Sequence, residues 1–207
     1  MKDVRLYSYW RSSCSWRVRI ALGLQGIDYE YVAVHLVRDG GEQRTEAYER
    51  DHNPMRQVPV LEWTENGPQR LTQSLAILEM LSERGPKSLL PDTPLARAKA
   101  RELAEVVNSG IQPQQNLATL QMVESLGGDK RAHGQEVIAR GLASMERLAT
   151  TAGQFLVGDE VSPAELRPVP PLHNAATFAP DPQALPDLRP TAAPSATPPR
   201  LPPTPST

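Results

Sequence analysis

The sequence predicts an α/β domain over residues 1–84 followed by an all-helical domain from residue 93. Three observations carry that prediction. Apolar residues alternate over "VRLYSY" (4–9) and "YEYVAVHL" (29–36), and a helical pattern lies between them. Helix-start and helix-stop residues then recur along the chain without further alternating runs of comparable length. From Pro163 onward the text changes again, because 14 of the 21 prolines fall in the last 45 residues.

Ser12 or Ser13 caps the first helix, in which Val18, Ala21, Leu22 and Gln25 share a face and which ends near Gly26. A strand, a helix and a second strand in that order suit a crossover with parallel pairing. Residues 39–56 read as polar and irregular. Val58-Pro59-Val60-Leu61 reads as a short strand, with Pro59 at its start or edge because proline offers no ladder donor; a cis bond there stays open. "TENGPQR" reads as a turn. A helix then starts near Ser74, carries Leu75, Leu78 and Leu81 with Ile77 alongside, and stops at Gly85-Pro86. The α/β domain so presents two helix N-termini able to hold anions.

After a connection over 85–92, Thr93 caps a helix with Pro94 at its first position. Pro113 bends or breaks it and Gly127-Gly128 ends it. Residues 130–151 form a further helix with Val137, Ile138, Leu142, Met145, Leu148 and Ala149 on one side. Ser162, Pro163 and Glu165 together mark another helix start. The helical domain is expected over 93–188, with 163–188 left open. Residues 189–207 hold seven prolines and almost no bulky apolar residues, so a disordered tail is expected there.

Composition narrows the function classes. At 207 residues and net charge −2, the chain has no broad basic surface for nucleic acid or anionic lipid. No apolar run approaches the roughly 18 residues of a membrane span, and no apolar signal core opens the sequence. A single cysteine excludes an internal disulfide, fits a reducing compartment and points to a cytoplasmic protein. The four histidines are scattered without ligand spacing, so no metal is expected. Without a second cysteine there is no dithiol chemistry.

The chemistry concentrates at "RSSCSWR". A free thiol is mostly protonated at neutral pH, whereas a helix N-terminus and a donating hydroxyl both favour its thiolate. Ser12 and Ser13 could therefore serve Cys14 or an incoming thiol. A serine cap followed by a small buried cysteine is the alternative, and spacing alone does not decide between them.

"YSYWRSSCSWRVRIALGLQGIDYEY", "NPMRQVPVLEW", "TQSLAILEML", "SGIQPQQNL" and "GDEVSPAEL" together resemble the zeta class of glutathione transferases, from about residue 5 to residue 166. The resemblance implies the glutathione-transferase fold: a thioredoxin-like α/β N-terminal domain followed by an all-α domain, usually as a homodimer. It implies glutathione as cofactor and cis–trans isomerisation of a small dicarboxylate keto acid, maleylacetoacetate to fumarylacetoacetate, in tyrosine and phenylalanine catabolism. Maleylpyruvate isomerisation, a general zeta-class transferase, a thioltransferase using Cys14, and a non-catalytic glutathione-binding protein are the rival readings.

By the same resemblance, Ser12 hydrogen-bonds the glutathione sulfur, with Ser13 and Cys14 as the other catalytic candidates. Ser15, Trp16 and Arg17 belong to the same contacting segment. Gln43 is a further contact, the Val58 backbone pairs with the cysteinyl amide, and Gln73 and Ser74 hold the γ-glutamyl carboxylate. Gln112, Asn116, Leu117 and Ala118 match ligand contacts in the helical domain. Plainer roles compete: Gln73-Ser74 as a cap, Trp16 as packing, Gln112 and Asn116 as polar helix residues, Arg17 and Arg19 as solvated or structural charges. After Leu166 the chain departs from the family. Arg167 and Pro168 replace apolar helix residues, Thr177 stands where the family carries an arginine, and the closing helices give way to the proline-rich end.

Overall fold

The computed structural model describes residues 1–86 and 88–149. The expected helix start at Ser162, the stretch 163–188, Thr177, the tail 189–207 and the last two residues of the 130–151 helix lie outside the described residues. The chain divides between Ser88 and Leu89 into two compact units.

The first unit is built on a mixed four-stranded sheet. β1 (Lys2–Ser8) lies between β2 (Glu30–Ala33), parallel to it, and β3 (Val60–Thr64), antiparallel; β4 (Pro68–Thr72) pairs antiparallel with β3 at the edge. The parallel step follows from the crossover helix α1 (Ser13–Leu24). Register places Leu6 opposite both Tyr31 and Leu61. Leu6, Leu61, Val18, Leu22, Ile77, Leu78 and Leu81 are fully buried, and α1 packs against α3 (Ser74–Arg84). Each such aliphatic side chain contributes on the order of 2 kcal/mol by leaving water. Val34, Tyr48 and Val60 form a second cluster, with Tyr7, Leu36 and Val58 packed on it.

Several expectations are corrected. The first two strands are shorter or shifted: β1 ends at Ser8, and β2 ends at Ala33, with the chain bending at Leu36 and Val37. The segment 39–56 is not irregular throughout. It holds two short 3-10 turns, Arg38–Gly40 and Glu42–Arg44, and a helix α2 (Glu46–Asp51) that Thr45 caps by accepting from the Tyr48 N–H. The third strand starts at Val60, two residues later than expected, and "TENGPQR" runs on into β4. Asn66 and Gly67 take φ of 52° and 108°, which closes a hairpin. Leu75 is only partly buried, and Ser74 and Ser82 share the buried face of α3 instead. Of the two plainer roles open to Arg17 and Arg19, the solvated one fails and the structural one holds, since both are buried and hydrogen-bonded within the unit.

The second unit is helical. α4 (Pro94–Glu105) runs into a π-helical segment, Val106–Ile111, and then α5 (Gln112–Gln115). The break falls at Asn116, whose extended backbone starts α6 (Leu117–Ser125); Pro113 sits in the first turn of α5, directly after the π-helical segment. α7 (Lys130–Leu148) packs Val137, Ile138, Leu142 and Met145 against Ala100, Leu103, Val107 and Ile111. Gly141 permits this approach, since a Cβ there would lie 2.2 Å from Ile111 Cγ1. Among the described residues no helix is long and apolar enough to cross a membrane.

Candidate active site

Ser12 is the N-cap of α1. Its Oγ accepts from the Ser15 N–H at 3.2 Å and its own N–H donates to the Tyr9 carbonyl at 3.0 Å. A hydroxyl carries one proton and two lone pairs, so this cap uses acceptor capacity only. The Ser12 proton has no acceptor among the described residues. Ser13 and Cys14 form the first turn; Ser13 is buried and Cys14 half-buried.

Two arginines hold this turn in place. Arg19 donates through Nη1 to Ser8 Oγ (2.9 Å) and the Tyr9 carbonyl (3.3 Å), and through Nη2 to the Trp10 carbonyl (3.2 Å). The β1–α1 connection is thus clamped by one side chain from below, just before Ser12. Arg17 Nη1 lies 3.9 Å from Cys14 Sγ and donates to Ser74 Oγ at 3.3 Å, which ties the start of α1 to the start of α3. Burial pushes both guanidinium groups below their ordinary range, with Cys14 partly opposing this at Arg17 and Tyr31 and Tyr29 at Arg19. The cost of burying them is offset by these convergent acceptors.

The start of α3 is unusual. Gln73 adopts φ 69° and ψ 112°, a left-handed conformation rare for a residue with a side chain, and makes no side-chain cap bond. Strain of this kind is kept where the surroundings or a ligand require it. Gln73 is exposed, so its amide stands free of the helix it begins. The hydroxyl of Ser74, buried, accepts from Arg17 and keeps its proton to donate.

Val58 precedes a cis bond to Pro59 and lies just outside β3. Neither its N–H nor its carbonyl has a partner among the described residues. Gln43 is buried in the second 3-10 turn: its Nε2 donates to the Leu36 carbonyl at 3.2 Å, and its Oε1 is buried without a partner among the described residues. Gly41, at φ 101°, leaves room for that amide, because a Cβ there would sit 2.7 Å from it. Ser15 Oγ is likewise buried and unpartnered.

The first unit therefore brings Ser12, Cys14, Arg17 and Ser74 together; Ser13, Ser15 and Trp16 belong to the start of α1, Gln43 to the second 3-10 turn, and Val58 and Gln73 to the residues just before β3 and α3. The second unit holds the other four candidates. Asn116 caps α6: Oδ1 accepts from the Thr119 N–H and Nδ2 donates to the Pro113 carbonyl, both at 2.9 Å. Leu117 and Ala118 are the first turn of that helix and Gln112 starts α5. Sequence reasoning missed Arg19 as a clamp, and it missed Tyr48 and Asn53. The "NP" pair was the available signal for Asn53, an Asx turn whose Oδ1 accepts from the Met55 N–H.

Residues 11–84 match the family described as glutathione S-transferase, N-terminal domain. The maleylacetoacetate isomerase of Mus musculus is 48% identical over 178 residues, covering 85% of this chain and 80% of that protein. A bacterial zeta-class maleylpyruvate isomerase in its holo form is 34% identical with a TM-score of 0.82, covering 91% of this chain and 90% of that one. The chain belongs to the zeta-class glutathione transferases. Within that class, the maleylacetoacetate isomerase of Anaeromyxobacter dehalogenans 2CP-1, solved with glutathione bound in the active site, shares 46% identity and a TM-score of 0.81, covering 92% of this chain and 88% of that one.

The residues present fit glutathione. A peptide backbone needs paired donors and acceptors, and Val58 offers one of each. An α-carboxylate is held by helix N–H groups and hydroxyls, and the uncapped start of α3 with Ser74 offers those. A thiolate needs a donor, and the Ser12 proton is one.

Proposed function

We propose that this chain isomerises maleylacetoacetate to fumarylacetoacetate with glutathione as cofactor, a step of tyrosine and phenylalanine catabolism. The observation that carries the reading is the Ser12 hydroxyl, capping α1 through its oxygen and leaving its proton to donate. Identity supports the substrate: relatives named for maleylacetoacetate match at 35–48%, those named for maleylpyruvate at 33–34%.

When bound, glutathione supplies the thiol sulfur that adds to the cis double bond and leaves again after rotation about the resulting single bond. The chain's residues do the rest. Ser12 donates to the sulfur and favours its ionised form, aided by the N-terminal dipole of α1. Ser13 and Cys14 line the same turn, with Ser15, Trp16 and Arg17 behind them. Val58 pairs its backbone with the cysteinyl unit as a short added strand. Gln73, Ser74 and the first N–H groups of α3 hold the γ-glutamyl carboxylate, and Gln43 is assigned a further contact by resemblance. Gln112, Asn116, Leu117 and Ala118 are assigned to the ligand by resemblance alone. The glutathione-binding domain is residues 1–84. A homodimer is our reading from the resemblance, and a cytoplasmic location our reading from the lone cysteine.

Calorimetry with glutathione and an assay on maleylacetoacetate and maleylpyruvate test this. Binding at millimolar glutathione with faster turnover of maleylacetoacetate is expected. No binding at that concentration would remove the reading, and a preference for maleylpyruvate would replace the substrate.

A further inference from the structure

We infer that Tyr48 and Asn53 are positioning residues for glutathione, acting through the peptide between Gln57 and Val58; the inference rests on the glutathione reading above. The two side chains converge on one atom. The Tyr48 hydroxyl donates to the Gln57 carbonyl oxygen at 3.0 Å, and Asn53 Nδ2 donates to the same oxygen at 2.9 Å. Both residues are buried, 6% and 1% exposed, while Gln57 itself is exposed. Such donors in a surface connection call for a reason beyond covering a core.

Their own placement is firm. Thr45 accepts from the Tyr48 N–H at the start of α2, the Asn53 N–H donates to the Tyr48 carbonyl at 3.0 Å, and Asn53 Oδ1 accepts from the Met55 N–H at 2.9 Å. Burial, with smaller effects from Tyr7 and Glu62, pushes the Tyr48 hydroxyl up, so it remains a donor throughout the working range.

The consequence lies in the geometry of one peptide plane. The Gln57–Val58 bond is trans. Its carbonyl and the Val58 N–H therefore lie on opposite edges of a rigid plane. Two donors fixing the oxygen on one edge aim the N–H outward on the other, where it has no partner among the described residues. Accepting two hydrogen bonds also polarises the amide and strengthens it as a donor. A backbone group that must pair with a ligand strand is so held in direction before the ligand arrives, which lowers the ordering cost of binding.

Tyr48→Phe removes one donor and little else. Asn53→Asp keeps the acceptor for the Met55 N–H and replaces the other donor. On the full chain, each is expected to raise the glutathione Kd and KM about 3- to 10-fold, the size of one hydrogen bond, while kcat at saturating glutathione changes less than KM. The double variant should lose more than the product of the single effects, since the carbonyl is then held by neither group. Asn53→Gln, which can still donate, should recover part of the loss. If either variant keeps wild-type Kd and KM while its Tm falls, the two residues only close the connection and the inference is overturned. Tyr48→Phe alone decides the matter should Asn53→Asp fail to fold. Wild-type chain that binds no glutathione overturns both this and the parent reading, an outcome distinct from variants that bind like wild type.

Discussion

Ser12 and Asn116 have the same structural task, each capping a helix by accepting a backbone N–H three residues on. They differ in what remains. Ser12 keeps a proton without an acceptor, whereas Asn116 engages both ends of its amide, Oδ1 on Thr119 and Nδ2 on Pro113. The contrast extends to the units they belong to. In the first unit the candidates retain hydrogen-bonding capacity: the Ser74 proton, both backbone groups of Val58 and Oε1 of Gln43. In the second unit the polar candidate whose bonds are resolved uses them to break and restart a helix around Pro113. Unused capacity next to buried, tightly held neighbours marks a binding site better than residue type does.

The largest expected effect separates the functional cap from the structural one. Ser12→Ala should slow isomerisation about 10²-fold, as removal of a donor to a charged reacting atom does elsewhere, besides costing about 1 kcal/mol of stability as a lost cap. Cys14→Ala should retain most activity. The reverse ranking in a steady-state assay would shift the chemistry to Cys14 and to thiol transfer.

The next tests the clamp beneath Ser12. Arg19→Met removes the donor to the Ser8 hydroxyl and the Trp10 carbonyl, and one of the two donors to the Tyr9 carbonyl, so urea unfolding should show a loss of about 2–3 kcal/mol. A loss below about 0.5 kcal/mol, the size of an ordinary surface change, would mean that the connection holds itself.

Asn116→Ala should cost about 1 kcal/mol as a lost cap and weaken glutathione binding less than Ser12→Ala slows turnover. A large affinity loss with unchanged stability would make Asn116 a ligand contact first and a cap second, and the contrast would close.

How much of this was legible beforehand follows from where each signal resides. Caps are local: Ser12, Thr93 and the proline at the first position of α4 announced their helices, and the structure has them there. The strand–helix–strand crossover was equally local. α2 escaped because it is only six residues long and buries one of them, Tyr48, too little for any period to show. β4 escaped because it begins at Pro68, lies at a sheet edge and is largely exposed, so alternation had no buried face to mark. The burial of Arg17 and Arg19 was hidden for a different reason. Long cations are ordinarily at the surface, and their acceptors here come from β1, the following connection and α3, which only folding assembles. The resemblance identified Ser12, Val58 and Ser74 as site candidates, but not the Gln57 carbonyl behind Val58.

The smallest effect is expected in the support under α2. Burial alone pushes the Glu62 carboxyl up, but hydrogen bonds and charges from Arg70 (2.8 Å) and His52 (3.2 Å) outweigh it and hold the group below its ordinary range. Its folded value being depressed, its stabilisation is complete above the unfolded carboxylate pKa of about 4.3 and is lost as pH falls through the lower folded value. Thermal unfolding between neutral and acid pH should therefore fall less steeply for Glu62→Gln than for wild type; parallel curves would show that Glu62 is not among the groups that set acid stability.

The ionisation of the thiol of bound glutathione tests the central claim most directly. Thiolate absorbance is followed against pH for wild type and Ser12→Ala at saturating glutathione. If the Ser12 proton serves the sulfur, the bound thiol ionises at lower pH in wild type than in free solution, and Ser12→Ala moves it back upward. Identical titrations of wild type and Ser12→Ala would contradict the account, leaving Ser12 as a helix cap and nothing more.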